Sequence, residues 1–357
     1  MARVLLAMSG GVDSSTAAYL LQEMGHEVSG ATMRLLDDPR LVAQAKTCCS
    51  PTDIQDARQA ATKLNCDFWV FNFRSLFHHE VIKRFAQSYA RGLTPNPCLD
   101  CNRYLKFRHF WERARLLNNE FMATGHYARV ERDGSKGRYL LKKALDLSKD
   151  QSYVLYALTQ TELAQTLFPL GQLTKAEVRR LAASLALDCA DKPDSQDICF
   201  VPEGRYVDFL AKLGLPPKPG DIVDRQGQKL GQHKGLSHYT IGQRRGLGLC
   251  RPTPYHVLEL DPTLNRVVVG SFEDLAQDRA LIEDCNFIAL DRLTKPLEVT
   301  VKIRYRQTEV PAEISPHPKG VALVFKNSQK AVTPGQAAVF YQGEIVLGGG
   351  TISRIKI

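Results

Sequence analysis

No stretch of the 357 residues is apolar for long enough to cross a bilayer, and the chain shows neither an internal repeat nor a low-complexity segment. The opening MARVLLAMSGG carries one Arg and a strand-like run ending in glycines. It lacks the long apolar stretch and small-residue cleavage site of a secretory signal. The sequence therefore predicts a soluble cytoplasmic protein with no membrane partner. Hydrophobic residues make up 44% and charged residues 24%, which excludes a disordered chain, a collagen and a disulfide-stapled mini-protein. Length alone predicts two or three domains. The 9 cysteines are an odd number in a chain that needs no bridges to build a core. In a reducing compartment such thiols are core filler, catalytic groups or metal ligands.

The formal net charge is +9, and the excess is spread along the chain rather than gathered in a basic tail. It favours a polyanionic partner. Between Arg225 and Leu258, residues Arg225, Lys229, Lys234, Arg244, Arg245 and Arg251 stand with no Asp or Glu among them. A solvated loop could have that composition, but a phosphate-facing surface explains it better.

Strand and helix signals alternate through the first 130 residues, the pattern of an α/β domain with a parallel sheet. Strands are expected at 3–8, 26–33, 67–73 and 120–124. Helices are expected at 17–24, 52–64, 76–91 and 102–117. Residues 150–188 read as helical, broken at Phe168-Pro169, with a capping signal from Thr174 to Glu177. Pro216, Pro217, Pro219 and Gly220 mark a loop, and short β patterns take over from about residue 280. There Val299, Val301, Ile303 and Tyr305 alternate with Thr300, Lys302, Arg304 and Arg306, giving one apolar and one basic face. Gln342-Gly343 between apolar runs predicts a hairpin.

Ser9-Gly10-Gly11-Val12-Asp13-Ser14-Ser15 joins the first strand to the first helix. Glycines let a ligand approach the backbone, and the helix start offers unpaired N–H groups and the positive end of a dipole. The two hydroxyls add donors for phosphate oxygens, and Asp13 could hold Mg²⁺ or simply favour the helix start. There is no G-x-G-x-x-G, and no Lys follows the glycines as a Walker loop requires. A glycine pair alone is as consistent with a tight turn as with a ligand site. SGGVDSS directly after a strand, however, resembles the PP-loop of ATP pyrophosphatases, which cleave ATP between the α and β phosphates. Such enzymes adenylate an oxygen to make it a leaving group, so a nucleophile must come from elsewhere.

Cys98-Leu99-Asp100-Cys101 lies in TPNPCLDCN, before a helix pattern carrying Arg103, Lys106, Arg108 and Arg113. A thiol at a helix start near cations ionises more easily. Cys199 lies in DSQDICF, in an irregular segment. Cys66, Cys189, Cys250 and Cys285 stand singly and read as filler, and Cys48-Cys49 has no evident role. For Cys98, Cys101 and Cys199, three readings compete. They could be inert buried thiols, or metal ligands, including three ligands of an iron–sulfur cluster with one iron left open. They could also do sulfur chemistry, one Cys carrying a persulfide that another resolves by disulfide formation.

Taken together, these residues resemble the tRNA-specific 2-thiouridylases, the MnmA/TrmU family, over essentially the whole chain. The resemblance rests on AMSGGVDSS, TPNPCxxCN, ATGHYAR, SKDQSYVLY, DSQDICF, the HxGLxxYTIGQRRGLG run, KIRYRQ and TPGQAAVFYQGEIVLGGG. It implies an α/β PP-loop ATP pyrophosphatase domain with a parallel sheet over residues 1–200. A small central tRNA-binding domain at 201–277 and a C-terminal β-barrel tRNA-binding domain at 278–357 would follow. The implied activity is ATP-dependent 2-thiolation of the wobble uridine of tRNA. ATP with Mg²⁺ would adenylate the uracil O2, and a Cys199 persulfide would deliver sulfur with Cys101 as partner nucleophile. The partners would be tRNA and a persulfide donor, either a cysteine desulfurase or a relay protein, acting on a monomer.

By the same resemblance Ala7, Met8, Ser9, Gly10, Gly11, Val12, Asp13, Ser14, Met33 and Gly125 match ATP-binding positions. Asn96, Pro97 and Cys98 match the segment that contacts the target base. His126, Lys149, Asp150, Gln151, Arg304, Tyr305 and Gln336 match tRNA-binding positions. The expected catalytic set is Cys101, Cys199, Cys98 and Asp13. One departure stands out: familiar members carry Asp where this chain has Cys98, a proposed acid–base position. A third thiol raises the alternative of an iron–sulfur cluster on Cys98, Cys101 and Cys199 that holds hydrosulfide. Two rivals remain: an ammonia-using PP-loop ligase such as an NAD or GMP synthetase, and a non-catalytic RNA-binding protein with structural zinc.

Overall fold

The computed structural model describes residues 1–36, 50–190, 192, 198–201, 206–249 and 253–355. Cys48, Cys49, Cys250 and Arg251 lie outside the described residues. The chain divides into two units. One comprises Met1–Val81, Cys98–Gly204 and Glu344–Val346; the other comprises Ile82–Pro97, Arg205–Gly343 and Leu347–Ile357.

The first unit is built on a five-stranded sheet in the order β3-β2-β1-β4-β7. Its strands are β1 (Arg3–Ala7), β2 (Glu27–Arg34), β3 (Phe68–Asn72), β4 (Phe121–Thr124) and β7 (Thr166–Leu167), and each neighbouring pair is parallel. Val4, Leu5 and Leu6 of β1 are wholly buried, as a central parallel strand covered on both faces must be. Helix α1 (Val12–Glu23) buries Val12, Ala17, Ala18 and Leu21. It stops as the sequence predicts: the Gly25 N–H donates to Gln22 O and the His26 N–H to Leu21 O, with Gly25 at φ +80. Helix α2 (Pro51–Lys63) begins in a capping box between Ser50 and Asp53. Helix α3 (Lys175–Ser184) begins in the expected one, where Thr174 Oγ1 accepts the Glu177 N–H.

Three local expectations change. The helices expected at 76–91 and 102–117 contain wide π turns, at His78–Ile82 and Cys101–Phe110. The second starts earlier than expected, at Pro97, whose fixed φ suits a first helical turn. The stretch 150–188 is interrupted by β7, which pairs Thr166 with Met122 and Leu167 with Ala123; sheet pairing there overrides local helix preference. A hairpin of β5 (Ala128–Asp133) and β6 (Arg138–Lys143) follows β4, outside the elements expected from sequence.

The second unit holds two β structures. In the first, β8 (Gly220–Val223), β9 (Lys229–His233), β10 (His256–Asp261) and β11 (Arg266–Gly270) form a sheet in the order β10-β11-β8-β9. Ile222, Val257, Leu260, Val267 and Val269 make its core. In the second, β12 (Ala276–Phe287), β13 (Leu297–Lys302), β14 (Val310–His317), β15 (Gly320–Lys330), β16 (Ala337–Gln342) and β17 (Ile345–Ile352) run in the order β12-β15-β14-β13-β16-β17. Pairing of β12 with β17 closes this sheet into the expected barrel. Val299, Val301 and Ile303 point into its core. The strand nevertheless ends at Lys302. Arg304 and Tyr305 lie in the turn beyond it, where the Arg304 guanidinium donates to Ala331 O at 2.7 Å and Thr333 Oγ1 at 3.2 Å.

Candidate active site

The register of the parallel sheet gathers the residues expected to hold ATP. Ala7 stands opposite Ala31 on one side and Thr124 on the other, so Met8 and Gly125 leave their strands at one edge, and Met33 lies near the same end of β2. This is the C-terminal edge, where ligands bind in open α/β sheets. The loop from Ser9 to Gly11 turns there into α1. Gly10 has φ +73, and a Cβ on it would lie 2.3 Å from Asp53 O. A Cβ on Gly125 would come within 3.0 Å of Ser14 N. Only glycine lets the backbone adopt this shape and keep the helix start open, the cradle a polyphosphate needs.

The hydroxyls of the loop serve its own shape. Ser14 Oγ accepts the Ser9 N–H at 3.1 Å and donates to Gly11 O at 3.2 Å, and Ser15 Oγ donates to the same carbonyl at 3.1 Å. Asp13 is more heavily engaged. Its carboxylate receives Lys175 Nζ at 2.7 and 2.8 Å and the Tyr127 hydroxyl at 2.7 Å. Asp13 is the carboxylate of the loop, and Lys175 pairs with it. Beneath the loop, Lys192 Nζ bonds Asp53 at 2.5 Å and Asp56 at 2.8 Å and approaches Gly10 O at 3.5 Å. Burial pulls the Lys192 ammonium down, but its bonds to the two carboxylates outweigh this and raise it above its ordinary value.

Cys98 sits on the first turn of the helix beginning at Pro97 and is exposed; Cys101 starts the next turn and is half-buried. Both are thus helical rather than in an irregular loop before a helix. The helix is pinned by buried Asn102, whose Nδ2 donates to Val154 O at 3.0 Å. Cys199 is half-buried in a turn, next to Phe200, whose buried ring packs edge-on against Phe77 at 5.4 Å. Among the described residues no three His, Cys, Asp or Glu side chains gather in a way that could hold a metal ion. Cys98, Cys101 and Cys199 therefore do not form a cluster ligand set in this structure. Burial pushes the Cys66 thiol up to about 11 and the Cys285 thiol up to about 12, so both stay protonated at neutral pH.

The positions expected to meet tRNA fall in different environments. His126 is buried between Phe107 and Phe168, its Nδ1 2.6 Å from Thr124 Oγ1. Burial, then the charge of Lys106, hold its imidazole well below the usual value of 6.5, so it is neutral. Lys149 is half-buried. Asp150 is buried and accepts the N–H groups of Ala144 and Ser152 and the Ser152 hydroxyl. Gln151 Oε1 accepts the Tyr127 N–H at 2.9 Å. In the second unit Asn96 is half-buried, Pro97 is buried, and Gln336 Nε2 donates to Thr94 O at 2.7 Å. Tyr305 is exposed. In that unit Arg225 pairs with Asp274 and Lys229 with Asp221, so carboxylates from outside the basic run neutralise part of it. Lys234, Arg244 and Arg245 remain exposed.

Sequence reasoning missed Tyr127 and Lys175. Their signals were present: Tyr127 follows Gly125-His126 off β4, and Lys175 follows the Thr174 cap. Neither signal reveals that both side chains end on Asp13.

Residues 2–203 match the family described as tRNA methyl transferase HUP domain. Residues 207–271 match the tRNA methyl transferase PRC-barrel domain, and residues 277–352 the aminomethyltransferase beta-barrel domain. Three relatives are each called tRNA-specific 2-thiouridylase MnmA, one of them with the suffix 1. That of Moorella thermoacetica is 49% identical, covering 98% of this chain and 99% of that one. That of Thermoanaerobacter sp. (strain X514), the one with the suffix, is 48% identical over 99% and 98%, and that of Clostridioides difficile 45% over 99% and 98%. A solved NMN synthetase from Francisella tularensis is far more distant, at 17% identity and TM-score 0.34 over 54% of this chain and 66% of that one. With relatives this similar along nearly all of its length, and with the parallel sheet, central β domain and closed barrel in place, the chain belongs to the tRNA-specific 2-thiouridylase family.

Proposed function

We propose that this protein is an ATP-dependent tRNA-uridine 2-sulfurtransferase acting on the wobble uridine. The observation that carries the reading is the convergence of Ala7–Ser14, Met33 and Gly125 on one sheet edge, in a chain whose relatives are named for this thiolation. The glycine cradle and the α1 N-terminus receive the polyphosphate, with Met33 and Gly125 flanking it. Mg²⁺, when bound, offsets the phosphate charge; Asp13 is the residue that would hold it.

The chemistry has two stages. The uracil O2 attacks the α phosphorus of ATP and pyrophosphate leaves, which makes the C2 oxygen part of a good leaving group. The terminal sulfur of a Cys199 persulfide then attacks C2 and AMP departs. Attack of the Cys101 thiolate on Cys199 Sγ leaves the transferred sulfur on C2 and forms a Cys101–Cys199 disulfide, which a thiol reductant must reopen. A persulfide-donor protein reloads Cys199. Asn96, Pro97 and Cys98 are assigned to the target base, and the exposed basic residues of the second unit to the tRNA backbone. The cluster route would require Cys98, Cys101 and Cys199 to meet around iron, and they are not so gathered.

The test is a paired assay with ATP, tRNA transcript and a persulfide donor. Wild-type protein is expected to release pyrophosphate and form 2-thiouridine. Cys199→Ser is expected to release pyrophosphate but form no 2-thiouridine; full thiolation by this variant refutes the sulfur pathway. No tRNA-dependent pyrophosphate release from the wild type refutes the reading as a whole.

A further inference from the structure

The nucleotide loop has no lysine of its own, although the ligand assigned to it carries several negative charges. A lysine from elsewhere in the chain reaches it. Lys175, 162 residues from Asp13, is only 8% exposed, and its ammonium lies 2.7 and 2.8 Å from the two Asp13 carboxylate oxygens. Asp13 is in the first turn of α1, so the ammonium is held at the first turn of the helix whose start is assigned to the polyphosphate. Lys175 is also fixed at its root. It opens α3 behind the Thr174–Glu177 capping box, its N–H donates to Asp146 Oδ2 at 3.0 Å, and its ammonium lies 5.8 Å from the Tyr127 ring centre.

A buried lysine is costly unless paired, and a buried ion pair is a poor source of stability compared with apolar packing. A functional role explains its presence better. We infer that Lys175 is a polyphosphate-binding residue of the nucleotide site, supplying the positive charge that the loop itself lacks. In the absence of nucleotide Asp13 holds the ammonium at the first turn of α1. When ATP binds, the phosphate oxygens share or take over that ammonium, and Asp13 becomes available to Mg²⁺. This inference rests on the nucleotide reading above, and it adds a residue that no loop motif marks.

Calorimetric titration of the full-length protein with ATP, tripolyphosphate and adenosine, in the presence of Mg²⁺, tests it. Lys175→Met is expected to weaken ATP and tripolyphosphate by roughly 10- to 100-fold while adenosine binds as in the wild type. Lys175→Arg is expected to stay within a few-fold of the wild type for all three. The double variant Asp13→Asn/Lys175→Met removes both charges of the pair and is read against Asp13→Asn alone, so it reports on Lys175 even if Lys175→Met alone folds poorly; it too should bind tripolyphosphate more weakly than Asp13→Asn does and keep adenosine. Tripolyphosphate binding at wild-type strength in both Met variants overturns the inference. So does an equal loss of adenosine, which would mark Lys175 as a purely structural support of the loop. Wild-type protein that binds neither ATP nor adenosine overturns the nucleotide reading itself, and the inference with it.

Discussion

Asp13 shows how one side chain can be assigned from its neighbours in sequence and reassigned by its neighbours in space. In the loop it is an acidic residue in the first turn of α1, where it suits either a metal or the helix dipole. In the folded chain it is also the counter-ion of a buried ammonium. Asp13→Ala should therefore do more than stop adenylation. It removes the carboxylate paired with the buried Lys175 ammonium and should lower stability by roughly 3 kcal/mol, the order seen when a buried pair loses one partner, and urea unfolding will measure it. Asp13→Asn/Lys175→Met should recover most of that loss. His126 gives a second residue-scale prediction. Its folded imidazole titrates well below 6.5, so the unfolded chain binds the extra proton first. The stability from keeping it neutral is complete above pH 6.5 and is lost as the pH falls below it. The urea midpoint should thus drop between pH 7.5 and 5.5, and His126→Asn should flatten that drop.

Elements followed the sequence closely where hydrophobic period and caps agreed. The first three parallel strands and α3 with its Thr174 cap lie where their residues place them, and α1 ends at its Gly25 stop, although it begins at Val12, earlier than the expected residue 17. Expectation failed where partners decided the outcome. The short strand β7 exists because Thr166 and Leu167 find a free edge on β4, and no two-residue pattern announces such an edge. The β13 run stops at Lys302 because Arg304 turns to the Ala331 and Thr333 oxygens, which lie 27 and 29 residues further on. The Thr174 cap has a consequence beyond its own helix, since it sets the root of Lys175. Thr174→Ala should cost about 1 kcal/mol in thermal unfolding. Under the nucleotide reading it should also weaken ATP more than adenosine.

At the scale of the whole molecule, the charge of +9 favours a polyanion, but its distribution was only partly legible. Arg225 and Lys229 belong to a run with no acidic residue inside it, yet Asp274 and Asp221, both outside the run, pair with them. The exposed pair Arg244 and Arg245 is the better candidate for phosphate contact. Arg244→Ala/Arg245→Ala should weaken tRNA binding about equally for cognate and non-cognate transcripts. It should also reduce the salt dependence by roughly one to two released ions in a binding titration across salt concentrations.

The sequence by itself determined the fold class, the order of the domains and the glycine loop, because these depend on local pattern: periodicity, caps and glycines at fixed spacing. Tertiary structure alone decided that Lys175 and Tyr127 converge on Asp13, that His126 is a buried neutral base, and that Asp150 is a buried acceptor of backbone and hydroxyl protons. Those facts depend on which remote segments pack together and how far water is excluded, and neither is written in the spacing of residues along the chain.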